Sequence, residues 1–185
     1  MKIKSISLIS VLTLLAGTAS ANAGVVADFY LGAMAGAGGQ TVFVKDNNTT
    51  DSSMLFGANL GIDIPLLRLE AEYNYLKTAD LHANMGMVNA MFKVPSTLIQ
   101  PYFGAGIGVA FEGKHTPVPG LEYKLDSTAG YQAMLGATID ILALPIKFDI
   151  EGRALYVPNM YKIAVDNSTP DLLEYDVRLK VRFMF

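Results

Sequence analysis

Hydrophobic and polar residues alternate one by one along much of the chain, most regularly near its end. Between Tyr175 and Phe185, apolar side chains at every second position alternate with Asp176, Arg178, Lys180 and Arg182. Successive side chains of a strand point to opposite faces, so this pattern predicts a strand with one apolar and one charged face. The apolar face carries aromatic residues to its end, which is typical of a face that contacts lipid.

Seven other segments show the same alternation. The eight predicted strands lie near residues 25–36, 53–63, 66–77, 84–94, 100–112, 127–139, 146–157 and 173–185. Each is close to the roughly nine to eleven residues that a tilted strand needs to cross a bilayer, and longer than the roughly five or six of soluble sheets. The sequence therefore predicts an all-β fold, an eight-stranded antiparallel up-and-down transmembrane barrel.

The connections between these segments alternate in length. Longer polar links follow the first, third, fifth and seventh strands, at residues 37–52, 78–83, 113–126 and 158–171, and short links follow the others, at residues 64–65, 95–99 and 140–145. Outer-membrane barrels have short periplasmic turns and longer extracellular loops. The alternation therefore predicts that both ends of the chain lie on the periplasmic side of the barrel.

Charged residues of both signs share one face of three predicted strands. These residues are Arg68, Glu70, Glu72, Lys147, Asp149, Glu151, Arg153, Asp176, Arg178, Lys180 and Arg182. The interior of an eight-stranded barrel is just wide enough for side chains, and an unpaired buried charge is costly. We therefore expect a paired charge network that closes the lumen; an ion path is the alternative. A soluble periplasmic barrel would place the apolar face inward instead.

The fifth predicted strand carries small residues on its inward phase. Its inward positions are Tyr102, Gly104, Gly106, Gly108 and Ala110. Three glycines on one face leave a groove in the barrel wall. We expect long side chains of the flanking strands to fill this groove, namely Met87, Met91, Gln132 and Met134.

The first 23 residues have the features of a secretory signal peptide. Lys2 and Lys4 precede an apolar segment over residues 6–16, and Ala21-Asn22-Ala23 is a small-x-small cleavage site. We therefore predict a cleaved signal peptide at residues 1–23 and one barrel domain at residues 24–185. Export together with the barrel pattern predicts a location in the bacterial outer membrane.

Composition excludes several kinds of chemistry. The chain has 14 basic and 17 acidic residues, a net charge of -3, and no basic run that would bind nucleic acid. The absence of cysteine excludes disulfides, thiol nucleophiles and thiolate metal sites. His82 and His115 fall in two predicted loops, near Asp80, Asp126 and Ser127, which is poor evidence for a Ser-His-acid triad or a zinc site. We therefore predict no enzymatic activity, catalytic residue, cofactor or metal site.

Three short runs carry a resemblance to a known family. They are Tyr30-Leu31-Gly32 in the first strand, the run from Pro101 to Gly108 in the fifth, and the final run from Val181 to Phe185. With these runs, the chain from residue 24 onward resembles the eight-stranded outer-membrane barrels of Gram-negative bacteria, the OmpA-like transmembrane domains and opacity-type surface proteins.

The resemblance implies a structural or surface-interaction role. It implies contacts with outer-membrane lipid and lipopolysaccharide, and extracellular loops that contact host, phage or neighbouring molecules. It also implies that Phe183 and Phe185 form the signal read by the barrel assembly machinery. The alternative is a porin-like barrel that acts as a narrow channel or binds a small molecule or lipid.

Overall fold

The computed structural model describes residues 27–44, 47–79, 81–96, 98–118, 121–124, 127–141, 144–159 and 171–185. These segments contain the strands β1 (Asp28–Val44), β2 (Asn47–Asp63), β3 (Leu67–Lys77), β4 (Leu81–Lys93), β5 (Ile99–Val118), β6 (Leu121–Lys124), β7 (Thr128–Asp140), β8 (Ile146–Val157) and β9 (Asp171–Met184). No helix in the described segments is long and apolar enough to cross a membrane. The predicted signal peptide lies outside the described residues.

Eight of the strands form a closed antiparallel barrel. The ring runs β1-β2-β3-β4-β5-β7-β8-β9, and β9 pairs with β1 to close it. The short strand β6 lies outside this ring and pairs with β5. The predicted fold, an eight-stranded up-and-down barrel, is confirmed.

The barrel has two different ends. At one end, Phe29 and Phe185 exchange two backbone hydrogen bonds of 3.2 and 2.9 Å, so the first and last strands meet there. We call this end the terminal rim. We call the opposite end, where β1 connects to β2 and β3 connects to β4, the loop rim.

The strands extend further at the loop rim than the sequence pattern predicts. β1 continues to Val44 instead of ending at residue 36, and β2 begins at Asn47 instead of residue 53. β5 continues to Val118 through the predicted loop at residues 113–126, and β4 begins at Leu81. In the extension of β1, polar and apolar residues share each face, with Gln40 and Val42 inward and Thr41 and Phe43 outward. Alternation therefore does not mark it, whereas antiparallel backbone pairing needs no apolar face. Most of the predicted loop at residues 158–171 lies outside the described residues.

The two faces of the wall are confirmed. On β9, Leu179 is 59% exposed, while its neighbours Arg178 and Lys180 are fully buried. Exposed aromatic side chains form one row near each rim. The terminal-rim row contains Phe92, Phe103, Phe148, Phe183 and Phe185, and the loop-rim row contains Phe56, Tyr73, Phe111, Tyr131, Tyr156 and Tyr175.

The inward glycines of β5 leave room for long side chains of β4. A Cβ atom at Gly104 would lie 2.6 Å from Cγ of Met91, and one at Gly108 would contact the sulfur of Met87. Gly106 lies against the amide of Asn89 in the same way. Met87 and Met91 therefore fill the predicted groove, and Asn89, which the sequence did not single out, lies between them.

Candidate functional site

The closed interior contains the charged residues that the sequence predicted to face inward. The side chains of ten of the eleven are buried: Arg68, Glu70, Glu72, Asp149, Glu151, Arg153, Asp176, Arg178, Lys180 and Arg182. The remaining one, Lys147, lies at the terminal rim with 16% of its side chain exposed. Continuous register between neighbouring strands brings these side chains to three successive levels of the barrel.

The lower network lies next to the terminal rim. It consists of Asp63, Arg68, Lys93, Lys147, Asp149 and Arg182. Four cations surround Asp63: Arg182 at 3.2 Å, Arg68 at 3.8 Å, Lys147 at 4.0 Å, and Lys93 in direct contact. Asp149 accepts two hydrogen bonds from Arg182, from Nε at 2.6 Å and Nη2 at 2.9 Å. Carboxylates from two strands therefore hold both guanidinium groups of this level.

The middle network fills the centre of the barrel. It consists of Glu70, Glu72, Glu151, Arg178 and Lys180. Nζ of Lys180 lies 2.7 Å from Glu70, 2.7 Å from Glu72 and 3.2 Å from Glu151. Arg178 binds Glu151 at 2.5 Å and Glu72 at 3.0 Å. Since β3, β8 and β9 supply these groups, the network joins opposite parts of the wall.

Two tyrosines connect the lower and middle networks. The hydroxyl of Tyr30 donates to Glu70 at 2.7 Å, and its ring lies 4.8 Å from the guanidinium carbon of Arg182. Tyr102 makes the same two kinds of contact. Its hydroxyl donates to Glu151 at 2.8 Å, and its ring lies 4.9 Å from the guanidinium carbon of Arg68. Each ring thus makes a cation-π contact with an arginine of the lower network, while its hydroxyl donates to a glutamate of the middle network.

Glycines on neighbouring strands make room for both tyrosine rings. A Cβ atom at Gly61 would lie 2.6 Å from the hydroxyl of Tyr30, and one at Gly136 would lie 2.6 Å from that of Tyr102. Any larger side chain at these two positions would collide with a ring that carries contacts to both networks.

The upper triad consists of Arg153, Glu174 and Asp176. Nη2 of Arg153 lies 2.8 Å from Glu174 and 2.5 Å from Asp176. Gln132 connects this triad to the middle network, because its oxygen accepts from Arg153 at 3.3 Å and its nitrogen donates to Glu72 at 3.2 Å. Charged and amide side chains therefore continue without interruption from the terminal rim to the upper triad.

The apolar cap is a cluster of buried apolar side chains in the interior, toward the loop rim. It consists of Val42, Leu76, Leu81, Ala83, Met85, Met87, Ala110, Leu155, Val157 and Leu172. Leu76 and Leu155 are fully buried. The alternation of residues predicted a charge network in the lumen and did not reveal this cluster, because several of its members lie in segments predicted as loops.

Several other lumen residues lie on the inward phase of predicted strands, although they were not among the predicted site residues. Asp63, Lys93, Glu174, Asn59 and Thr138 are all buried and lie on the inward phase of predicted strands. The sequence would have revealed them if every polar residue at an inward-facing position of a predicted strand had been assigned to the lumen. Which partner each one binds could not be found in this way, because partners come from strands far apart in sequence.

The histidines do not lie in loops as predicted. His82 is in β4 and the backbone of His115 is in β5, on paired strands at the loop rim. Ser127 precedes β7 and is exposed, while Asp80 and Asp126 lie outside the described residues. Within the described segments, no group of three or more His, Cys, Asp or Glu side chains is arranged to hold a metal ion.

The loop rim carries a hairpin that extends above the aromatic row. Beyond Phe56 and Tyr175, the β1-β2 hairpin exposes Thr50 and Ser52 on its outward face. Thr50 pairs with Thr41 across the hairpin, with 3.2 Å between their hydroxyl oxygens. Phe43 is 42% exposed on the same face. The hairpin therefore presents polar groups and one aromatic side chain beyond the apolar belt.

Solved structures share this architecture. Neisserial surface protein A (NspA) superposes with a TM-score of 0.65 at 17% identity, over 86% of this chain and 99% of that chain. The chain has the fold of the eight-stranded outer-membrane β-barrels. The N-terminal β-barrel domain of Pseudomonas aeruginosa OprF superposes on this barrel with a TM-score of 0.56 at 14% identity, over 84% of this chain and 97% of that chain. No family model matches the barrel sequence, and no curated protein sequence matches it.

Proposed function

We propose that the protein is a non-enzymatic outer-membrane barrel that binds molecules outside the cell through its loop rim. The observation that carries this proposal is the contrast between the two parts of the molecule. The lumen is occupied from the lower network to the apolar cap, whereas the β1 and β2 strands extend past the aromatic row. Interaction at the rim therefore fits the molecule better than transport through its centre.

The packing of the lumen supports a closed barrel. Arg178 and Lys180 are fully buried, and each pairs with Glu151 of the neighbouring strand and with Glu72 of β3 across the barrel. Opening a path there would separate charges in a low dielectric, which costs several kcal/mol for each pair broken. The apolar cap adds a second barrier, because an ion would lose its hydration among Leu76 and Leu155 without gaining a polar partner.

Conductance in planar bilayers tests the closed lumen against the narrow channel. We expect no steady openings from the refolded barrel. Steady openings in the unaltered protein that disappear when Arg178 and Glu72 are changed to alanine would show an ion path lined by the middle network, and would favour the channel.

The proposed location follows from the two faces of the wall. Exposed apolar side chains between two aromatic rows match a wall embedded in lipid, so we propose outer-membrane lipid and lipopolysaccharide as the surroundings. Phe183 and Phe185 are exposed at the terminal rim. Their role as the signal for the barrel assembly machinery, and cleavage of residues 1–23, stay predictions.

Substitution of the histidines tests the non-enzymatic part of the proposal. Changing His82 or His115 to alanine should leave the lipid A and phospholipid composition of intact cells unaltered. A change in either lipid class would instead favour an enzyme acting at the loop rim.

A further inference from the structure

Part of β2 is paired on one side only. β1 pairs with β2 along its whole length. β3 pairs with β2 no further than Met54 and Lys77. Just beyond, the amide of Thr78 donates to the carbonyl of Leu81 at 2.7 Å and turns the chain into β4. Among the described residues, no strand pairs with the β3 side of residues 47–53, which we call the open edge.

The hydrogen-bonding groups of the open edge can be identified from the register. In an antiparallel ladder, alternate residues bond to the neighbour on one side and the intervening residues to the other side. Ile64 donates to the carbonyl of Leu67 at 2.9 Å and so bonds on the β3 side. The register of β2 continues without a shift. The N-H and C=O groups of Asn48, Thr50 and Ser52 therefore point toward the open edge.

The open edge carries little of the usual protection of exposed strands. Natural edges are commonly blocked by proline, lysine, a bulge or a covering segment. Residues 47–53 contain no proline or lysine, and the pairing of β1 with β2 shows no bulge. Asp51 is the single charged residue of this segment and lies on the inward phase of β2. The backbone groups of the open edge are therefore arranged to accept another strand.

The neighbouring hairpins leave room for an added strand. In the part of the chain that the structure describes, β3 ends at Lys77 and β4 begins at Leu81, whereas β5 continues to Val118 on the far side of β4. β2 and β5 are separated by two strand positions, and strands lie about 4.8 Å apart, so the gap above the β3-β4 hairpin is roughly 14 Å wide. One or two strands fit this gap.

We propose that the open edge binds an extended segment of a partner protein, which adds to β2 as a further strand. Main-chain hydrogen bonds would supply the affinity, as in other cases of strand addition. Asp51 is the charged residue of the open edge, so an opposing segment with neutral or basic side chains is favoured. The inference rests on the proposed function, because it requires the loop rim to face the exterior.

A second copy in the same membrane does not suit this edge. Strands of a barrel are tilted by about 35–45° from its axis. Two copies related by an axis along the membrane normal would bring their edges together at roughly twice this angle, so that no ladder could form. A separate, flexible segment can instead align with β2.

Amide exchange measured by NMR on the protein refolded in detergent micelles tests the proposal. The probe is an eight-residue peptide of alternating threonine and lysine; the control is the same peptide N-methylated at every residue, which keeps the charge but lacks backbone donors along both edges. We expect the unmodified peptide to slow exchange of the Thr50 and Ser52 amides at least tenfold, and the methylated peptide to have no effect.

Two variants at one position separate main-chain from side-chain binding. Thr50→Val removes the hydroxyl but keeps the N-H, whereas Thr50→Pro removes the N-H that points to the open edge and leaves the bonds to β1 intact. We expect protection of Ser52 by the peptide with Thr50→Val and its loss with Thr50→Pro. Equal protection by both peptides, equal binding to both variants, or no protection at all would overturn the proposal. Because micelles have no cellular orientation, these outcomes are independent of a failure of the proposed location.

Discussion

Arg178 illustrates how a single side chain stabilises the barrel from within. Its guanidinium binds Glu151 of β8 and Glu72 of β3, and the side chain is fully buried. Replacing it by leucine leaves two carboxylates with Lys180 as their remaining cation in the middle network. Because removing one partner of a buried ion pair costs about 3 to 5 kcal/mol, we expect Arg178→Leu to lower the free energy of unfolding by that amount.

Urea unfolding of the barrel in lipid vesicles, followed by far-ultraviolet circular dichroism, measures this change. Lys77→Leu is the matched control, since Lys77 is an exposed cation at the end of β3 and its loss should change stability by no more than about 0.5 kcal/mol. Equal stability of the two variants would show that the middle network does not hold the barrel together.

Tyr102 offers a finer test at the residue scale. Tyr102→Phe keeps the ring over Arg68 but removes the hydrogen bond to Glu151. A lost hydrogen bond to a buried charged group costs about 1.5 to 3 kcal/mol, which the same unfolding measurement detects. Tyr131→Phe on the neighbouring strand is the control, because Tyr131 is 51% exposed on the outward face. A loss of similar size in both variants would contradict the contact with Glu151.

At the scale of the strand, β9 shows what alternation determines. Leu179 faces outward between two fully buried cations. An arginine on the lipid face near the middle of the membrane costs about 2 to 4 kcal/mol. We expect Leu179→Arg to lose stability by this amount in vesicles, and Leu179→Met to remain close to the unaltered protein. An arginine variant as stable as the methionine variant would mean that the faces are reversed.

Strand ends at the loop rim show where alternation stops being informative. The pattern ends the first strand at residue 36, yet β1 continues to Val44 because each residue pairs with β2. In this extension the inward positions hold Gln40 and Val42 and the outward positions hold Thr41 and Phe43, so neither face carries one kind of side chain. Backbone pairing then decides the length of the strand, and that depends on the neighbouring strand.

For the whole molecule, the proposed orientation predicts which connections are accessible on intact cells. A peptide epitope inserted between Val44 and Asn47 lies at the loop rim, and one between Ile64 and Leu67 lies at the terminal rim. We expect antibody and protease to reach the first insertion on intact cells and the second only after the outer membrane is permeabilised. The opposite labelling pattern would reverse the orientation and remove the basis for surface binding.

The amino-acid sequence by itself determined the all-β fold, the number of barrel strands and the two faces of the wall. These properties are local: each follows from the two-residue period of a strand and from the contrast between Leu179 and its neighbours. The sequence also indicated that charges of both signs share the interior, since both occur on the same face of the predicted strands.

Only the tertiary structure decided which interior groups meet. Glu72 and Lys180 are more than 100 residues apart in sequence, and closure of the ring brings them to 2.7 Å. The apolar cap and the open edge arise for the same reason, because each depends on how far neighbouring strands extend and where they stop pairing. Alternation fixes the face of each side chain, whereas barrel closure and register fix its partners.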